Sequence, residues 1–439
     1  MTGGLPRVRI LSEEFTDAPY GRFAALRQES PVHYDPEVDC YFVSRHHDVR
    51  RVLTDHATFT SEPLQVRAEP VMRGPVLAQM TGAEHSAKRK MVVRGLTGAS
   101  LDRHVREIRA NAEELLRPFM DTGRVDLVND FGKPFAIRST LDVLGLDKGD
   151  WRRISGWHRA IAEFIGSIAM SRERRHHSLE CSAALEAYLL PVIEERRARP
   201  GDDLISHVCA RDADSAAMST REVTALVINI LVAAAEPVDK TLALLFRHLI
   251  EHPEQLAQVR KDPRLLRNAI AETLRLTPPV QIIPRQAVTA ADVSGITIPA
   301  DATVFCLIGS ANRDPAAFAS PDAFDLHRGD LGAARSFTAA AQHLAFGAGL
   351  HMCVGAAFSR MQIETVADLL LQRMSAIRLP TDFGYRETGL YLRGPEALPL
   401  EFTPRPEPSR NLSGAARGRS SPTPSPGIRP STEEGPPWP

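Results

Sequence analysis

The sequence predicts a mainly α-helical domain with a minor β region, and three observations carry that expectation. The longest is a helical run over residues 219–252, apolar on all sides across 223–235 apart from Thr224 and Asn229, as a helix crossing a core must be. Four more stretches, 101–120, 134–144, 151–170 and 179–197, show the apolar spacing of amphipathic helices. Short strand-like segments at 32–34, 40–44, 280–284, 293–298, 303–308 and 385–402 sit between turn residues and supply the β region.

Composition sets the outer bounds. Apolar residues make up 43% of the 439-residue chain and charged residues 24%, ordinary values for a globular protein. A net charge of −1 provides no global field to recruit nucleic acid or an anionic membrane. The five cysteines, Cys40, Cys181, Cys209, Cys306 and Cys353, are scattered, which fits a reducing compartment and not a disulfide framework. Residues 1–17 lack the apolar core of a signal peptide, and no run of about 18 apolar residues occurs. The expected location is the cytoplasm, with no membrane anchor.

In chain order, the first two strands precede a short helix at 48–53, and residues 62–84 read as a long loop with Pro and Gly breakers. His85 and Arg89 stand four apart on the next helix, on one face. Lys88, Lys90 and Arg94 beside them read as a solvated basic face or a docking surface for an acidic protein. Ser219 and Glu222 have capping-box spacing at the start of the long helix, and Pro253 follows its end. Within that helix, Pro237 removes an N–H and leaves the Ala233 carbonyl without its helical partner. Residues 268–276 form another helix, stopped by Pro278-Pro279, in which Glu272 and Arg275 at i, i+3 read as a surface ion pair. A hairpin is expected to join 293–298 to 303–308 over residues 299–301, with a turn and helix start at 311–315.

The stretch with the most chemistry is Phe346-Gly347-Ala348-Gly349-Leu350-His351-Met352-Cys353-Val354-Gly355. Its glycines permit tight turning and close approach. A cysteine just before a helix N-terminus sits where dipole and N–H groups favour a thiolate, the metal-ligating form. No second Cys or His stands at zinc spacing, so the residues leave two readings, a buried free cysteine or a single thiolate beneath a flat cofactor such as haem.

This stretch resembles the cysteine loop of the cytochrome P-450 superfamily, Phe-Gly-x-Gly-x-His-x-Cys-x-Gly, with every fixed position filled. The resemblance covers roughly residues 10–403 and implies one haem-thiolate domain. It makes Cys353 the axial ligand of haem b (iron protoporphyrin IX), and Phe346, Gly347 and Gly355 parts of the loop around it. His351, His85, Arg89 and Arg285 become partners of the haem propionates. Glu272, Arg275 and Arg328 then form a buried network, not a surface pair, and 62–84 roofs the substrate pocket, which Leu390 reaches. In the helix crossing the distal face, the usual Ala-Gly-x-acid-Thr reads Ala233-Ala234-Ala235-Glu236-Pro237. The acid is present, but the threonine that helps deliver protons is replaced. Proton supply then runs through Glu236, an ordered water at the Ala233 carbonyl and a substrate hydroxyl, or Pro237 only fixes a kink.

The implied activity is a monooxygenase that hydroxylates or epoxidises a lipophilic natural-product intermediate with O2. No flavin, ferredoxin or dinucleotide-binding segment appears, so electrons are expected from a separate ferredoxin and ferredoxin reductase. The alternatives are peroxide-driven, desaturating or radical-coupling chemistry, or a haem protein without turnover. Residues 404–439, rich in Pro, Ser, Gly and Arg, have little to bury and read as a disordered tail.

Overall fold

The computed structural model describes residues 10–406, apart from 63–64, 98, 168–169 and 211–217. The expected tail lies outside the described residues from 407 on.

The long helix is Thr220–Glu251, and its start is the capping box that the spacing predicts. Ser219 Oγ accepts from the Glu222 N–H at 3.3 Å, and Glu222 accepts from the Ser219 N–H at 2.6 Å. Both patterns satisfy N–H groups that have no carbonyl one turn back. Val223, Leu226, Val227, Ile228, Leu231, Leu242, Leu245 and Phe246 are buried around its circumference. Each contributes ~2 kcal/mol by leaving water, which is why an all-apolar helix takes the centre. Lys133–Leu144, Arg172–Ala198, Leu265–Leu276 and Ala356–Arg373 pack about it, together with a π-helical turn, Leu127–Gly132. The helix continues unbroken across Pro237.

The β region centres on one five-stranded sheet in the order Val32–Asp35, Cys40–Val43, Thr303–Leu307, Ile282–Ala287 and Phe59–Thr60. Cys40–Val43 pairs parallel with Thr303–Leu307, and the other pairings are antiparallel. The sheet corrects the expected hairpin. Ala291–Val293 pairs with Ile296–Ile298 instead, and Thr303–Leu307 leaves it for the large sheet. The reason is the turn: Ser294 and Gly295 both have positive φ, 49° and 80°, the backbone that a two-residue hairpin needs.

Two further expectations change. The stretch read as a loop at 62–84 contains the helix Gln65–Met72, whose internal Pro70 hid it from a reading that treats proline as a breaker. The turn at 311–315 ends a short helix, Ile308–Ala311, and does not start one. The last strand, Pro399–Pro404, pairs with Met374–Arg378 and Arg124–Asp126, one residue beyond the expected boundary.

His248 shows how tightly the core excludes charge. It lies 5% exposed, its Nε2 is 2.8 Å from Thr277 Oγ1, and its ring stacks on Phe324 at 4.9 Å. Burial, then Arg247, Arg313 and His252, push its pKa down to about 3. The unfolded chain therefore takes up a proton below about pH 6.5 that the native chain refuses, so stability falls as pH falls through that window. His248→Gln is expected to remove roughly 2 kcal/mol of the loss between neutral pH and about pH 5. Thermal midpoints of both proteins at the two pH values check this, and an identical drop in both refutes it.

Candidate functional site

The cysteine loop is shaped by two glycines and one backbone closure. Gly347 and Gly349 both adopt φ of 70°, a conformation that side-chain-bearing residues rarely take. The Met352 N–H then reaches the Gly349 carbonyl at 3.1 Å, and the Cys353 N–H reaches the Phe346 carbonyl at 2.9 Å. Gly355 plays a different part from the one its pattern implies. Its φ of −88° is open to any residue, and it is the N-cap of the helix Ala356–Arg373. Phe346 is half-buried against Phe337, with ring centroids 5.5 Å apart. Cys353 keeps exposed surface on one side, while the loop and helix start crowd its sulfur on the others. That crowding pushes the thiol pKa up, opposed by the Gly355 N–H and by Arg89. Coordination to a metal would deprotonate such a thiol outright.

Around the loop gather groups able to carry positive charge. His85 is fully buried, and neither ring nitrogen has a partner. Its ring lies 4.9 Å from that of His351, whose Nδ1 is also buried and unpartnered. Burial, with Arg285, His85, His56 and Arg89 adding to it, pushes His351 down to about 4. Arg285 is 5% exposed, donates only to the Pro284 carbonyl at 2.8 Å, and leaves Nε unpartnered. Among the described residues no carboxylate pairs with Arg285 or Arg89. Buried cations and donors without an anion are expensive, and their convergence fits a guest that brings its own carboxylates. Two propionates and an iron seeking one thiolate match this donor set. Arg89 departs from its partner: it donates to the Met352 carbonyl at 2.5 Å, next to Cys353.

His56 is a site residue that sequence reasoning missed. Just past the helix His46–Thr54, its Nε2 accepts the Leu350 N–H at 2.9 Å. Its ring lies so close to Gly349 that a Cβ there would stand 3.0 Å away. Nothing local marks it, because the contact joins positions 294 residues apart.

On the long helix, Ala233 is exposed while its neighbours on the chain are not, so the helix opens onto a space at that residue. Glu236 and Pro237 are half-buried. The Thr241 hydroxyl donates to the Pro237 carbonyl at 2.6 Å, so the nearest downstream threonine is engaged. Strand Ile282–Ala287 places the Ile283 side chain 3.5 Å from where Gly347 would carry a Cβ. The Gln281 N–H bonds the Tyr391 carbonyl at 2.8 Å, and Val280 bridges Leu392, which ties the hairpin tip bearing Leu390 to that strand.

Glu272, Arg275 and Arg328 are buried, not at the surface. Arg275 grips Glu272 through Nε at 2.7 Å and Nη2 at 2.8 Å, and Arg328 Nε adds a bond at 3.0 Å. The two guanidinium groups spend their other donors on the carbonyls of Asn312, Pro321, Ser320 and Ala323. One carboxylate thereby fixes residues 312–328, the approach to the cysteine loop.

Lys88 corrects the basic face. It is 8% exposed and clamped between Glu84 and Glu222. Although burial opposes it, Lys88 and Ser219 hold Glu222 down to about 2. Lys90 remains exposed. A cleft of about 910 Å³ lies elsewhere, beside Tyr20, His248 and Tyr385; the arginines on its wall, 247, 313, 386 and 393, all pair with carboxylates.

Two outcomes test this geometry. Glu272→Gln leaves two buried guanidinium groups without their charge partner, at a cost of about 3–5 kcal/mol, so haem content and thermal midpoint should fall together. Loss of activity with both unchanged would contradict it. His56→Phe strands the Leu350 N–H, costing about 1–3 kcal/mol locally, whereas His56→Gln offers an acceptor again. The fraction of reduced carbonyl complex with the thiolate spectrum should drop in the first variant and recover in the second.

A sequence model described as cytochrome P450 matches residues 154–382. The chain is 53% identical over 402 residues to pulcherriminic acid synthase of Bacillus subtilis, covering 92% of this chain and 99% of that protein. It is 33% identical to the mycinamicin IV hydroxylase/epoxidase of Micromonospora griseorubida, over 91% of this chain and all of that one. Its fold is similar to the solved structure of P450BioI bound to an acyl carrier protein ligated with hexadec-9Z-enoic acid. The TM-score is 0.80 at 25% identity, covering 89% of this chain and 100% of that one. Enzymes of this family are haem b oxidoreductases that take O2 and electrons from a redox partner, and the chain belongs to the cytochrome P450 family.

Proposed function

We propose that this chain is an oxygen-dependent P450 of natural-product assembly that makes pulcherriminic acid or a close analogue, with electrons from a ferredoxin and its reductase. The observation that carries the reading is 53% identity sustained over 99% of the length of pulcherriminic acid synthase. Bound haem supplies the oxidation chemistry, and a thiolate ligand pushes electron density that favours O–O cleavage.

The chain's own residues take these roles. Cys353 ligates, with the turn at Gly347 and Gly349 aiming it and the Gly355 N–H steadying its sulfur. His85, His351 and Arg285 offer their unpartnered nitrogens to the propionates. Arg89 holds the Met352 carbonyl, and so positions the loop. Glu272, Arg275 and Arg328 brace the scaffold behind it. Ala233, Ile283 and Leu390 present small or apolar surface to a lipophilic substrate. Glu236 is the proton-handling acid, and Pro237 opens the Ala233 carbonyl for water. Cys181, Cys209 and Cys306 are buried thiols outside any disulfide, consistent with a reducing cytoplasm. Among the described residues no helix is long and apolar enough to cross a membrane.

A second reading, peroxide-driven or desaturating turnover, draws on one feature, the missing hydroxyl at Pro237. Two experiments decide. In a Bacillus subtilis strain lacking its own pulcherriminic acid synthase, this chain should restore pulcherriminic acid; a haem-loaded protein that restores none sinks the substrate assignment. With cell extract of that strain as substrate source, ferredoxin and reductase should support product, and hydrogen peroxide alone should not. The reverse pattern installs peroxide-driven turnover.

A further inference from the structure

The long helix carries a second polar feature, on a face turned away from Pro237. Val232, Glu236 and Asp239 follow at i, i+4 and i+7 and so share one face. That face lies roughly 100–160° around the helix from Pro237.

Asp239 is 1% exposed and packs against the π-helical turn Leu127–Gly132, where a Cβ on Gly132 would meet its own Cβ at 3.1 Å. Its Oδ1 accepts the Lys240 N–H at 2.7 Å, while Oδ2 is buried without a partner. Burial pushes this carboxyl up to about 7; Lys240 and Lys133 pull against that, and Glu236 adds to it. From the neighbouring helix Trp151–Gly166 comes His158, 5% exposed. Its ring bonds the Val232 backbone, and its Nε2 is buried and unpartnered. Burial lowers its pKa, with Arg159 adding to the effect and Glu236 opposing it. Two enclosed side chains from two different elements, each with one orphaned polar atom, thus both feel the charge at Glu236. Buried polar groups in purely structural positions are normally satisfied, so this cluster calls for an explanation.

We propose that Asp239 is the proton reservoir for Glu236, and that His158 is the positioning residue that holds the helix at Val232, one turn before Glu236. The Asp239 carboxyl gives its proton to the Glu236 carboxylate. Glu236 releases that proton to water at the opened Ala233 carbonyl, and Asp239 regains one from solvent beside exposed Lys133. No hydroxyl at position 237 is needed. The inference rests on the oxygen-dependent reading, which consumes protons.

Infrared difference spectra of the full-length haem-loaded protein, taken across neutral pH in H2O and D2O, read the reservoir directly. A protonated-carboxyl band titrating near pH 7 is expected, absent in Asp239→Asn and retained in Glu236→Gln. During turnover with ferredoxin and reductase, Asp239→Asn should release several-fold more hydrogen peroxide per electron, at unchanged haem content, and Asp239→Glu should reverse this. His158→Phe should also leak peroxide. Absence of an Asp239-dependent band, or peroxide release in Asp239→Asn equal to wild type, overturns the reservoir. A normal band in a protein that consumes no oxygen overturns its purpose together with the oxygen-dependent reading, so the two failures are distinguishable.

Discussion

Groups that repel one another converge at the cysteine loop, and the rest of the structure serves to hold them there. His85, His351, His56, Arg89 and Arg285 stand near Cys353 with no protein carboxylate to balance Arg89 or Arg285 among the described residues. The mutual effect is visible in His351, driven to about 4 by burial and by its cationic neighbours. An arrangement of this kind persists only when surrounding packing over-determines it, and when an anionic guest repays the repulsion.

Three devices supply that over-determination. The Glu272 carboxylate binds two guanidinium groups, which in turn fix the carbonyls of the segment leading to the loop. His56 fixes the loop from the N-terminal sheet side by taking the Leu350 amide. Arg89 reaches from a third element to the Met352 carbonyl. The loop is therefore held by side chains drawn from four distant parts of the sequence, and a fault in any one is expected to appear first as lost or mis-ligated haem.

The central helix shows a different economy. Its turn from Ala233 to Pro237 has neither an N–H nor a hydroxyl at position 237, while Asp239, on another face, is a buried acid. On the proposed path, proton handling lies in the interior of the protein and needs no hydroxyl at position 237.

Much of this was legible in the sequence. The capping box at Ser219 and Glu222, the all-apolar run behind it, and the loop from Phe346 to Gly355 each specify local chemistry through neighbours a few residues apart. Local steric and hydrogen-bonding rules act over that range. Other features escaped because their causes are not local. The partner of strand Thr303–Leu307 was chosen by a parallel strand more than 250 positions away, and only the positive φ at Ser294 and Gly295 hinted that the nearer hairpin closed early. Lys88 read as a surface charge until the fold brought Glu222 to it. Residue identity and local spacing settle which residues can ligate, turn, cap and cross the core. Which cations stay unpaired and which carboxyl is buried and pushed up in pKa follows from packing alone, since desolvation and charge coupling depend on distance in space and not along the chain.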